Sequence, residues 1–504
     1  PVWHKSDIND PANSTIHDGL LFHLGKEFFD RFPHNYSQPD NLSTILEMAI
    51  QTIDLGSFIP NPVVQSGPYK VYVGPFYYDP PMVSIYPRPG GMQAEARLHN
   101  IKIDVQAIGS CKILFIDLCP DVSGDVTVHD VELNLGLDIS AQNGQISMQE
   151  SDNFIAIYGL DVDIDGILGW LFDWLIDWFV DGYVEILEDT AMTMISDQIT
   201  SITTSFLDEL ALETNLDIPN PLDPTAPPVS LFLTTVLQEL EFDESGVTIR
   251  LDPAILAPKN VSHDTLGSIG RASCLNWLPE EFILDQDEWA HIGVFDDMLN
   301  QMLFSAWNSG LLSVSVPVDQ FIDPSMLEGF GISSLSELGI SNLSATTDFF
   351  LPPIITSCNG DDQLQMQVGD LYVQLNMNML GQPVSIGMFV SMVAEADIVV
   401  EQGPSGPEVV LGVGAIDPAV MQVTYVSEGL QGAEGVLTMI VQGMLLPAIL
   451  DSFAENTLVN FPIPEFNVSG FTPLLPPNIV WQFFVDEFYR ELGYTSIIAH
   501  IEAL

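Results

Sequence analysis

The sequence predicts an α+β fold: two tandem barrel-like domains, each a highly twisted antiparallel sheet wrapped around a long apolar helix. Three observations predict it. Apolar residues alternate with period two through most of the chain, one long apolar helical pattern interrupts them, and the two halves carry matching phrases. The expected units are an N-terminal domain over 1–255, a linker over 256–288 and a C-terminal domain over 289–504.

Helical patterns open the chain at about 13–31 and 42–55, and the Pro-rich stretch 58–68 stops the second. Strands follow to about 165, as in Ile101, Ile103, Val105 and again in Leu160, Val162, Ile164. The long helix is expected from Ile167 to Leu210. Its acidic residues Asp173, Asp177, Asp181 and Glu185 form one wet stripe, so the rest of its circumference must be buried. A Pro-rich passage at 219–228 leads to a strand pair near 230–252. The second half begins with a helix expected at 290–309. Strands then run from 311 to 426, a helix from 429 to 457 kinks at Pro447, and a strand from Thr495 to Ala503 closes the chain.

The matching phrases follow Cys119 and Cys358. Val128-His-Asp-Val131 and Val368-Gly-Asp-Leu371 each slip the inward alternation by one place, at Asp130 and Asp370, before five apolar positions resume. A β-bulge has this signature, bending the strand and increasing its twist. An internal duplication is expected.

The 504 residues hold 69 acidic and 12 basic side chains, a formal net charge of −57. Such a field repels phosphate, which excludes nucleic acid as a partner and disfavours anionic lipid surfaces unless divalent cations bridge them. Its plain role is solubility. Hydrophobic residues at 47% exclude a disordered chain. No segment reads as a membrane span, because Asp residues interrupt the most apolar helix and 435–450 is too short. The chain opens at Pro1 with no signal peptide, as a processed product or a trimmed chain would. Cys111, Cys119, Cys274 and Cys358 lack zinc-site spacing; their even count suggests two disulfides in an oxidising compartment. Of three connectivities, Cys111–Cys119 with Cys274–Cys358 is the first choice. Sequons at Asn13, Asn35, Asn41, Asn260, Asn342 and Asn467 are glycosylation candidates, and the expected location is secreted or at the cell surface.

Four segments resemble, in order and spacing, the bactericidal/permeability-increasing and lipid-transfer protein family of the tubular lipid-binding superfamily. Segment 49–62 (AIQTIDLGSFIPNP) resembles the end of that family's opening helix, and 169–190 (GWLFDWLIDWFVDGYVEILEDT) its long second helix. Segment 291–316 (HIGVFDDMLNQMLFSAWNSGLLSVSV) resembles the helix that opens its C-terminal domain. Segment 437–464 (LTMIVQGMLLPAILDSFAENTLVNFPIP) resembles its late helix and the exit after it. The resemblance implies a boomerang of two barrels joined by a central sheet, with an apolar lipid pocket under each. Two features depart from the family. The basic tip that grips lipopolysaccharide has no counterpart in this acidic chain, and the long helix lacks the family's usual cysteine, so the pairing above stands without family support.

The resemblance points to Trp170, Trp174, Trp178 and Tyr183 in the first half as lipid-contacting residues. Met298, Met302, Leu437, Met444 and Leu445 are their counterparts in the second. The same spacing is that of ordinary core, and Met fills cores as readily as it adapts to variable ligands. Asp161, Asp163 and Asp165 before Gly166 resemble the front of a calcium loop, but Phe172 stands where a bidentate Glu belongs. The favoured reading is a strand with its Asp residues facing water; calcium is the alternative. No nucleophile elbow, zinc-protease helix or phosphate loop is present, and no enzyme activity is expected. The functional expectation is a carrier for lipid or another apolar ligand. Its rival is a structural component of a surface assembly, with protein partners and a core filled by side chains.

Overall fold

A computed structural model describes residues 15–164, 184–261, 284–317, 333–356, 364–428 and 459–504, apart from short breaks within those ranges. The first half begins with β1 (Leu20–Gly25) and helices α1 (Lys26–Phe29) and α2 (Leu42–Gln51). It continues through β2 (Val64–Ser66), β3 (Tyr69–Tyr77), β4 (Met82–Arg88) and β5 (Gly91–Gly109). The short pair β6 (Lys112–Ile113) and β7 (Ile116–Asp117) precedes two long strands, β8 (Val122–Gln142) and β9 (Gln145–Ile164). Helix α3 (Val184–Leu210) leads to β10 (Glu213–Ile218), β11 (Val229–Phe242) and β12 (Gly246–Leu256).

The second half begins with β13 (Ala290–Phe295) and α4 (Asp296–Asn308). Strands β14 (Ser315–Pro317), β15 (Ile340–Phe349), β16 (Ile354–Thr356), β17 (Leu364–Met379) and β18 (Gln382–Gly403) follow. Then come β19 (Gly406–Ile416), β20 (Val420–Val426), β21 (Val459–Pro462) and β22 (Glu465–Asn467). The hairpin β23 (Val480–Glu491) and β24 (Tyr494–Ala503) ends the chain.

The α+β expectation is corrected. The protein is mostly β, built on curled half-barrel sheets, with four α-helices among the described residues and no long apolar helix wrapped by a sheet. Two misread segments explain much of the difference. Segments 13–31 and 290–309 each read as one helix, yet each is a strand running into a helix: β1 into α1, and β13 into α4. All six residues of both strands are buried. A strand covered on both faces loses its period-two signature and looks like any apolar run. Helix α3 is real, but its described buried residues, among them Ile199, Ile202, Phe206 and Leu210, form a single stripe. Phe206 packs on Phe28 of the first half and on Phe466 and Phe471 of the second. The expected helical stretches 167–183 and 429–457 lie outside the described residues.

One eight-stranded sheet, in the order β10-β11-β12-β1-β13-β24-β23-β22, takes four strands from each half. At its centre β1 and β13 pair antiparallel, Phe22 opposite Ile292 and His23 opposite His291. The sheet has a pseudo-twofold axis there. Each side carries one register slip in its hairpin, between Leu237 and Glu239 on β11 and between Val485 and Glu487 on β23. The slips fall at matching levels, beside Leu251, which pairs with Leu20, and beside Ala499, which pairs with Ala290. The strand-to-helix junctions, Gly25 to Lys26 and Phe295 to Asp296, give the same correspondence of Leu20 with Ala290. Two independent markers therefore agree on a duplication.

The two outer sheets repeat a second pattern. In the first, β3 and β4 both pair with β5; in the second, β15 and β16 both pair with β17. Strand β17 is therefore the counterpart of β5, and the matched phrases on β8 and β17 are one strand out of step. The counterpart of Asp370 is Asn100. Both lie at left-handed φ, 48° and 52°, where Asn and Asp are better tolerated than other side chains. At both the alternation slips: Ala96 and Leu98 are buried before Asn100, then Ile101 and Ile103; Met366 and Val368 before Asp370, then Leu371 and Val373.

Candidate ligand-binding interior

The slips let each curled sheet keep an unbroken apolar inner face through a sharp bend. On β8, Val126 and Val128 and then Val131, Leu133, Leu135, Leu137 and Ile139 are all buried. On β18, Val384, Ile386, Met388, Val390, Met392 and Ala394 are buried in strict alternation. The two faces differ in texture. The first mixes branched residues with Ala94, Ala96 and Ala107, and Met92 is its one buried methionine among the described residues. The second carries Met366, Met377, Met388 and Met392. Unbranched thioether side chains re-pack easily, so the second face adapts better to an irregular guest.

Each inner face is anchored by a helix that serves a strand edge. Strand β4 pairs with β5 on one side, and α2 supplies polar partners on the other. Glu47, 1% exposed, accepts the Val83 N–H at 2.7 Å through Oε1, and the Ser43 Oγ accepts the Ile85 N–H at 2.8 Å. Glu47 Oε2 also accepts from Tyr36 Oη at 2.8 Å and lies 2.8 Å from His34 Nδ1, whose Nε2 lies 2.8 Å from Asp30. Burial alone would lower the His34 pKa; the bonds to Asp30 and Glu47 outweigh it and raise it above the usual value. Burial, with the Glu47 carboxylate next, pushes Tyr36 up to about 12. The start of α2 is fixed by Asn41, whose side chain accepts the Thr44 N–H at 2.9 Å.

In the second half α4 plays the same part toward β16 with neutral groups. Asn300 donates to the Ile355 carbonyl at 3.0 Å and accepts its N–H at 2.6 Å. Gln301 accepts the Ile255 N–H at 2.8 Å, and Trp307 Nε1 donates to the Phe349 carbonyl at 2.6 Å. Helix α4 is buried on all sides, so its polar residues knit together the ends of three strands.

The predicted site residues divide accordingly. Met298 and Met302 lie on α4, each 2% exposed, within this packed wedge. Trp170, Trp174, Trp178, Tyr183, Leu437, Met444 and Leu445 lie outside the described residues. Asp161 and Asp163 are exposed on β9 in regular pairing, opposite Thr127 and Asp125 on β8, so this stretch is ladder and not loop; Asp165 lies outside the described residues. Among the described residues, His17, Asp18 and Asp252 have donor atoms within 4.8 Å of one another. The His17 ring bridges the two carboxylates, Nδ1 3.2 Å from Asp252 and Nε2 3.6 Å from Asp18, while Arg250 lies 3.7 Å from Asp18. An imidazole between carboxylates accounts for that geometry without an ion.

Cys119 is disulfide-bonded, and no described cysteine is free. Cys111, Cys274 and Cys358 lie outside the described residues, as does Asn13. Asn35, Asn260, Asn342 and Asn467 are exposed. Asn41 is corrected: it is 0% exposed and committed to capping α2, which leaves no room for a glycan. Sequence reasoning missed Glu47, Ser43 and Asn300. A buried Glu in an apolar helix was the available signal, but the edge strand it serves is distant in sequence. No described helix is long and apolar enough to cross a membrane.

Comparison with known proteins gives distant likenesses in structure. The chain is similar to a crystal structure of lipopolysaccharide binding protein at 15% identity, covering 97% of this chain and 100% of the other, with a TM-score of 0.45. It is similar to P47 of Clostridium botulinum E1 at 9% identity, covering 97% and 100%, with a TM-score of 0.26. P47 from Clostridium botulinum A2 matches at 8% identity, covering 97% and 99%, with a TM-score of 0.25. No family profile matches, and no curated protein matches. Likeness at this level says nothing about what the chain binds.

Proposed function

We propose that the protein carries lipid or another apolar ligand, held against the inner faces of the curled sheets, one site in each of the halves 1–255 and 289–504. The observation that supports this reading is the continuity of those faces. Each stays apolar through a bend that costs the strand a register slip, and the second is rich in methionine. An acyl chain entering such an interior would gain about 0.8 kcal/mol per buried CH₂, which needs no charged grip from a chain of this acidity. Trp170, Trp174, Trp178 and Tyr183, with Leu437, Met444 and Leu445, remain the first candidates for contact. We place the protein outside the cell, secreted or at its surface; the disulfide at Cys119 and the exposed sequon asparagines Asn35, Asn260, Asn342 and Asn467 support that location. Cys111 is its proposed partner. The reading assigns no catalysis.

Mass spectrometry of organic extracts from gently purified protein should find lipid at near one or two molecules per chain. Recovery of none, with no uptake of a fluorescent fatty acid, would overturn the carrier reading. A second reading, a structural part of a surface assembly, draws support from aromatic residues on the outer faces. Phe350, Tyr372 and Phe389 cluster with ring centroids 5.3–6.3 Å apart, and Tyr425 on β20 is 52% exposed. Light scattering at native concentration separates the two: a lipid-bearing monomer supports the first, a lipid-free assembly the second.

A further inference from the structure

The loop between α1 and α2 meets strands of the central sheet and leaves a cleft of about 510 Å³. That volume falls in the range of small-molecule sites. Trp289 and His500 form its floor; Arg31, Asn35, Gln38 and Asp40 line one wall, Asp486 and Glu502 the other. Asp486 is the extra residue at the β23 register slip, which turns its carboxylate into the cleft.

Two features define what fits. The first is an aromatic row: Phe484 stacks on His500 with centroids 5.8 Å apart, and His500 lies 5.9 Å from Trp289. The second is a cation already in place. The Arg31 guanidinium sits 4.6 Å from the Trp289 ring centroid and 2.8 Å from an Asp40 oxygen, between an aromatic face and a carboxylate. Asp486 and Glu502, both about half exposed, share one partner among the described residues, the His500 ring, at 2.8 and 3.4 Å. Three carboxylates therefore line the cleft beside one guanidinium and one imidazole. The surroundings add to the field, since Glu288 is held above the usual carboxylate range by burial and then by Asp285, Asp486, Glu487 and Asp287. Anions are excluded and organic cations attracted.

We propose that this cleft binds a small flexible di- or polyamine, its methylene chain on the Trp289–His500 pair and its ammonium ends on Asp486, Glu502 and Asp40. The site is independent of the apolar interior and stands or falls separately from it.

The test is calorimetric titration of the full chain with spermidine at about 150 mM salt, where long-range attraction is screened. The uncharged 1,8-octanediol serves as a ligand of similar length. Saturable one-to-one binding of spermidine and none of the diol is expected. Asp486→Asn with Glu502→Gln should weaken binding roughly tenfold, and Trp289→Ala should weaken it as well. A control pair remote from the cleft, Asp104→Asn with Asp161→Asn, removes the same charge and should leave binding unchanged. Equal weakening by the control pair, or none by the cleft variants, would overturn the proposal.

Discussion

The two halves share one backbone plan and fill it with opposite chemistry. At the strand edge the first half uses a buried carboxylate: Glu47 with His34 and Tyr36 serves β4. The second uses a neutral amide, Asn300, for β16. At the hairpin end the roles reverse. Four residues past its slip, β11 places Phe242, 6.3 Å from Phe29. At the matching place β23 has Arg490, whose Nη1 and Nη2 lie 2.7 and 2.8 Å from the two oxygens of Asp296, itself 2% exposed. Duplication has kept the places where the backbone needs support and has not kept the kind of support. Hydrogen bonds to a strand edge are common to both halves, whereas at the hairpin end an aromatic contact stands where the other half has an ion pair.

Breaking the ion pair should give the largest effect. Arg490→Ala leaves the Asp296 carboxylate buried without its partner and should cost about 3–5 kcal/mol, read from urea unfolding. Replacing both partners, Arg490→Met with Asp296→Leu, removes the two buried charges together and should recover most of that loss. No recovery would mean that the pair does more at this hairpin end than neutralise itself.

Next comes the edge of β4. Glu47→Ala strands the Val83 N–H, the Tyr36 hydroxyl and His34 together and should cost about 3 kcal/mol, whereas Asn300→Ala frees one N–H and one carbonyl and should cost about 2. If hydrogen exchange shows Val83 and Ile355 opening equally in both variants, the contrast between charged and neutral support fails.

The pH profiles should give the smallest signal. The folded-state pKa of His34 is raised, so its stabilising contribution is complete below about 6.5 and fades as pH climbs through the folded value. His34→Gln should flatten that decline. His291, in the central sheet, behaves in the opposite sense: burial pulls it down to about 4 against Asp285. Between about 6.5 and 4 the unfolded chain binds more protons, so stability should fall as pH drops through that window. Thermal unfolding across pH 4 to 9 reads both, and His291→Gln should remove part of the acid loss.

Much of this plan was legible in the sequence. Alternation found the long strands and their slips, because one face of each is wet. It failed at β1 and β13, where burial on both faces erases the period, and it failed at the same place in both copies. The duplication was legible, but its register was not. The shared Asp at 130 and 370 outweighed Asn100, although it is the left-handed backbone at Asn100 and Asp370 that marks equivalent strands. Of the candidate site, Met298 and Met302 lie buried on α4. Glu47 and the Trp289 cleft depend on pairings between distant segments, which no local pattern carries.

The seam between β1 and β13 has a consequence for any attempt to take the molecule apart. A lone half would present the exposed backbone of its innermost strand, shaped to accept a strand running the opposite way. Its own twin offers one. An isolated N-terminal half should therefore meet itself as a symmetric pair, the arrangement a single ancestral copy would have needed before fusion tied two together.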